Sequence, residues 1–164
     1  MLFQTFGPYK VTTWDQMSAE MKERNEPALE NADGIYVFFQ KIGGRLVPLY
    51  VGQTSAHFGV RVAEHMNKER TEMFKLDKKK DIHLLLIALS TPSGKPKRKA
   101  SKTDMKTLDK LEFMLIGACL LKNQDLRNKQ FKKFHESLTV PGFTNSDSKD
   151  SNAASRALRA LLKK

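Results

Sequence analysis

The hydrophobic pattern separates strand-like from helix-like stretches. Gly34-Ile-Tyr-Val-Phe-Phe-Gln-Lys (34–41) is rich in β-branched and aromatic residues, Ile-Gly-Gly turns the chain, and Arg-Leu-Val-Pro-Leu-Tyr-Val-Gly-Gln-Thr (45–54) returns it. That order predicts a β-hairpin. Pro48 predicts that the returning strand has an unpaired edge or a local break. The run Asp-Ile-His-Leu-Leu-Leu-Ile-Ala-Leu-Ser (81–90) predicts a buried strand. Helical spacing appears in three places. A Thr cap and Asp15 predict a helix from Thr12 or Thr13. In 57–70, Phe58, Val62 and Met66 share one side, and Arg61 and His65 share another. In 105–122, Leu108, Leu111, Leu115 and Ala118 or Cys119 form a core stripe behind a Thr103–Asp104 cap.

Between these elements lie breaks. Phe6–Val11 reads as a short extended piece with a turn, and 25–33 as a connector broken by Pro27. Residues 75–80 read as a charged turn. Residues 91–104 form a basic Pro/Gly/Ser segment without periodicity, expected to be a mobile loop. Residues 131–143 hold a short helix or strand, 144–152 a polar linker, and 153–164 a small amphipathic helix with Arg156, Arg159, Lys163 and Lys164. The expected architecture is α+β, with a small central three-stranded β-sheet flanked by helices. All 164 residues would form a single domain: a core over 34–130, with extensions at 1–33 and 131–164.

Charge changes the picture. Lys and Arg number 29 against 18 Asp and Glu, a net charge of +11. Such a field attracts polyanions, nucleic acid above all. An anionic membrane surface and a merely soluble basic protein are the rivals. The longest apolar runs, 84–89 and the stretch around 113–121, are too short to span a bilayer. The N-terminus lacks the layout of a signal peptide. Cys119 is the only cysteine, which rules out disulfides and Cys-based zinc sites and suits the reducing cytoplasm.

Several residues could carry chemistry, each with a bland alternative. Tyr36 and Tyr50 suit strand packing, but they could face each other across the hairpin, where a phenol donates, accepts or acts as a base. Gly34 and Gly52 beside them would let a substrate backbone approach. Arg61 presents a fork suited to phosphate, and His65 could orient a phosphate or shuttle a proton; a solvated helix face is the alternative. Glu112 lies inside the stripe of Leu108, Leu115 and Ile116. A buried carboxylate needs compensation, from a salt bridge or from a hard cation such as Mg2+.

Taken in order, Gly-Ile-Tyr (34–36), Tyr-Val-Gly (50–52), Arg61 with His65, Glu112 and a following Asn resemble the GIY-YIG nuclease family. The likeness runs from Gly34 to Asn128, with Val where the second motif usually has Ile. It implies a three-stranded sheet wrapped by helices and an active site of Tyr36, Tyr50, Arg61, His65, Glu112 and Asn128, with Asn123 the other candidate for the last position. It also implies metal-dependent endonuclease cleavage of phosphodiester bonds in DNA. Glu112 would hold Mg2+ or Mn2+, Arg61 would stabilise developing charge, and Tyr36 would be the preferred base, its pKa lowered by Arg61 or the metal. Lys95, Lys97, Arg98, Lys99 and Lys102 could lie along phosphates or be a solvated run. RNA is a further possible substrate; a membrane is not expected as a partner. A non-catalytic nucleic-acid-binding module on the same scaffold is the alternative function.

Overall fold

The hairpin forms, and its turn follows from two glycines. In the computed structural model, which describes residues 2–66 and 81–128, β2 (Gly34–Ile42) and β3 (Arg45–Thr54) are antiparallel. Gly43 and Gly44 have φ of 53° and 80°, the left-handed pair that a two-residue hairpin turn demands. Pro48 acts as expected. The register shifts between Phe38, opposite Tyr50, and Phe39, opposite Pro48, leaving Leu49 as a bulge. β3 is also an edge strand, where a missing N–H is tolerated.

The sheet has four strands, not three. β1 (Leu2–Lys10) pairs with β4 (Ile82–Ser90), and the order is β1-β4-β2-β3, antiparallel throughout. Gly7-Pro8, read from sequence as a turn, falls where the β1 register shifts between Phe6 and Tyr9. An edge strand absorbs such an interruption.

Helices cover both faces of the central strands, which explains why β4 is apolar on both sides. On one face Tyr36, Phe38, Leu84 and Leu86 pack against α1 (Trp14–Glu23), the 3-10 turn Pro27–Asn31 and α2 (Phe58–Met66). On the other, Ile35 and Val51 pack against Leu108 and Ile116 of α3 (Lys102–Leu120). Thr13 caps α1 as expected, its side chain accepting from the Gln16 N–H. α3 starts earlier than expected. Ser101 accepts from the Asp104 N–H at 3.2 Å while Asp104 accepts from the Ser101 N–H at 2.7 Å; this reciprocal box satisfies two otherwise orphaned donors.

The segment before α3 is tethered rather than loose. Thr91 and Lys95 bond to each other, the Lys97 N–H reaches Leu89 O at 2.7 Å, and the Asp33 N–H reaches Lys97 O at 3.2 Å. The chain divides into two units, Met1–Asn128 and Lys129–Lys164. The end of the helix expected over 57–70, the charged turn at 75–80 and every element expected beyond 130 lie outside the described residues.

Candidate active site

β2 and β3 place both tyrosines on the α2 face. They are diagonal rather than opposite: Tyr36 faces Gly52 and Tyr50 faces Phe38. Their ring centroids are 6.0 Å apart. One turn after Arg61, His65 points its ring between them, 5.4 Å from each. Tyr36 Oη and His65 Nε2 share a 2.7 Å hydrogen bond. Tyr36 and His65 are buried, while Tyr50 is only half-buried.

The two glycines do a different job from the one expected. A Cβ on Gly52 would lie 2.5 Å from Tyr36 Cζ, and one on Gly34 would lie 2.7 Å from Phe58 Cζ. The space at Gly52 is filled by the Tyr36 ring, and that at Gly34 by the Ile87 carbonyl of β4 and the Phe58 ring, so the glycines seat Tyr36, β4 and α2 rather than clearing room for a nucleic-acid backbone. Gly52→Ala is therefore expected to destabilise the fold by about 1–3 kcal/mol, read as a lower urea midpoint.

Electrostatics join the remaining residues to this cluster. Burial raises the Tyr36 phenol well above its ordinary value, and the neighbouring Tyr50 adds to this; Arg61 opposes without prevailing. The expected lowering of Tyr36 by Arg61 is thus overturned by desolvation. Burial also raises Tyr50 and Glu112 adds to it, but the Tyr36 hydroxyl and Arg61 both favour the Tyr50 phenolate. Burial, with help from Arg61, lowers His65 to about 4, so it is neutral at pH 7. The Arg61 guanidinium bonds Glu64 at 2.8 Å and also interacts with Tyr36, and its side chain stays 43 % exposed.

Glu112 comes from α3, on the far side of the β3 edge. Burial and then the charge of Asp109 push its carboxyl up to about 7, while a Gln53 backbone hydrogen bond and Arg61 pull the other way. Gln53 also donates from its side chain to Asp109 at 2.5 Å, tying β3 to α3. Among the described residues no Lys or Arg forms an ion pair with Glu112. Nor do three or more His, Cys, Asp or Glu side chains gather there into a metal cluster. Asp109 stands one turn before Glu112, and these are the two carboxylates at this edge that could hold a hard cation, whose positive charge would offset what raises Glu112.

Asn128 is brought to the site's rim. It is buried, and its amide pairs with Val51 as another strand would: Val51 N–H to Oδ1 at 3.0 Å and Nδ2 to Val51 O at 2.6 Å. Val51 lies between Tyr50 and Gly52, so Asn128 positions them. Asn123 donates to Pro48 O at 2.7 Å. Both asparagines cover the open edge of β3.

Of the basic candidates, Lys95, Arg98 and Lys99 are exposed. Lys97 instead commits its ammonium to Asp104. Sequence reading missed Asp33. Its buried carboxylate accepts from the His57 N–H at 3.3 Å and the Ala100 N–H at 2.8 Å, holding the approaches to α2 and α3 against the start of β2. An acidic residue directly before an apolar strand was the available signal. No protein-family model, curated protein or solved structure matches this chain.

Proposed function

We propose that this chain is a divalent-metal-dependent endonuclease that hydrolyses phosphodiester bonds in DNA. The observation that carries the reading is the cluster of Tyr36, Tyr50 and His65 from β2, β3 and α2, with Arg61 and, from α3, Glu112 near enough to act on it electrostatically. These are the residues singled out by the resemblance to GIY-YIG nucleases, and an exposed cation, an accessible phenol and a carboxylate fit phosphoryl chemistry.

The scissile phosphate sits against Arg61, whose guanidinium offsets charge developing on its oxygens. Tyr50, the more accessible phenol, takes the proton from the attacking water. Neutral His65 donates from Nε2 to Tyr36 Oη, and Tyr36 in turn donates toward Tyr50, favouring its ionised form. Glu112, with Asp109 beside it, would hold Mg2+ or Mn2+, which supplies Lewis-acid stabilisation of the phosphate and the leaving oxygen. Asn128 holds the strand that carries Tyr50.

The test is a cleavage assay on supercoiled plasmid, single-stranded DNA, branched duplex and RNA, with Mg2+, Mn2+ or EDTA. Metal-dependent cutting is expected. Salt-sensitive DNA binding without any cutting would replace the enzyme with the non-catalytic binding module.

A further inference from the structure

The hairpin outruns the rest of the sheet. The last rung between β2 and β4 pairs Gln40 with Ile82, and Lys41 makes one further backbone bond to Asp81 O at 3.0 Å. Lys41 through Leu46 are all exposed. Two of the six are large apolar residues, Ile42 at 51 % and Leu46 at 62 % exposure. The rungs pair Ile42 with Arg45 and Lys41 with Leu46. Side chains on one rung share a face, so each face of the tip carries one apolar and one basic side chain. Arg45 forms no ion pair among the described residues. Space is open around Gly43 and Gly44, where a Cβ would meet nothing within 4 Å.

We propose that this tip enters the major groove of a DNA duplex as a two-stranded ribbon and reads bases beside the cut; the proposal rests on the nuclease reading. The major groove, about 12 Å wide, admits such a ribbon. Positive charge on both faces complements the phosphate walls. Arg45 offers a fork to guanine O6 and N7, Lys41 a single donor, and Ile42 and Leu46 apolar contact for thymine methyl groups. At about 3.3 Å per residue, Ile42 lies about 20 Å along β2 from Tyr36. That limits the contact to within about six base pairs of the cleaved phosphate.

The experiment uses the full chain on a random-sequence duplex library, with cut ends sequenced, and gel-shift binding in EDTA as a second readout. Variants are Arg45→Ala, Lys41→Ala/Arg45→Ala and Ile42→Ser/Leu46→Ser, all at exposed positions. The wild type should show a base preference within about six base pairs of the cut. Arg45→Ala should erase its guanine component and the apolar pair its thymine component. Duplex binding by the basic double variant should fall roughly tenfold or more. Cutting with a base preference and an affinity that no tip variant changes overturns the groove contact alone. Tip-dependent duplex binding without cutting overturns the nuclease and keeps the groove contact. No duplex binding by the wild type overturns both. Tip-dependent binding to anionic vesicles with unchanged duplex binding assigns the tip to a membrane and overturns the proposal.

Discussion

Glu112→Gln is expected to reduce metal-dependent cleavage roughly a thousandfold or more, the several kcal/mol a catalytic cation supplies, with the fold retained. The substitution keeps the volume of a half-buried side chain and removes the charge that would hold the ion. A pH measurement separates this role from packing. The folded-state value of about 7 stands above the ordinary 4.5. Burying the protonated form is the favourable case, so the contribution of Glu112 to stability is fully present below about 4.5 and is lost as pH rises through about 7. Without divalent ions, the urea midpoint of the wild type should therefore fall relative to Glu112→Gln between pH 5 and pH 8. Mg2+ should reverse that fall in the wild type alone, because binding needs the ionised carboxylate. A difference that stays flat with pH and ignores Mg2+, with cleavage intact in the variant, would remove Glu112 from the mechanism.

Local signals in the sequence account for much of the fold. The hairpin was legible because its turn needs two residues at positive φ and has two glycines, Gly43 and Gly44. α3 was legible from its apolar spacing, although its cap lay at Ser101 rather than Thr103. β1 was legible only in part, as a short extended piece from Phe6, for a physical reason. Most of its residues are exposed or half-exposed, and Tyr9 alone is buried, so no alternation marks it as a strand. Its partner is β4, from Ser90 opposite Leu2 to His83 opposite Lys10, a pairing that no local pattern announces. The segment 91–101 misled because, besides the bonds it makes within itself, it is anchored to Leu89 and Asp33, which no local pattern announces.

At the site, residue types and order were legible, but burial was not. Glycine beside tyrosine could equally seat a substrate or seat a ring, and only the position of Tyr36 over Gly52 decides for the ring. Asn128 carried no local signal of its role, because its partner is the backbone of Val51. Lys97 looked equivalent to Lys95 until Asp104 came beside it. Two tyrosines alike in sequence differ in burial, which is what moves the proposed base from Tyr36 to Tyr50.

Tyr50→Phe is accordingly expected to cost roughly 10²–10⁴ in single-turnover cleavage, the usual range for removing a general base. Tyr50 is only half-buried, whereas Tyr36 is enclosed and its hydroxyl is bonded to His65. Tyr36→Phe should cost less activity and more stability, about 1–3 kcal/mol, because buried His65 Nε2 loses its 2.7 Å partner. The pH dependence gives a sharper distinction. Burial raises the Tyr50 phenol, so the ionised fraction and the rate should climb about tenfold per pH unit above neutrality. Tyr50→Phe should flatten that climb, while Tyr36→Phe should keep it and move it to higher pH, having lost the hydroxyl that favours the Tyr50 phenolate. A flat profile in Tyr36→Phe with a preserved climb in Tyr50→Phe would return the base to Tyr36 and require that its ring leave the cover of Gly52 when DNA binds.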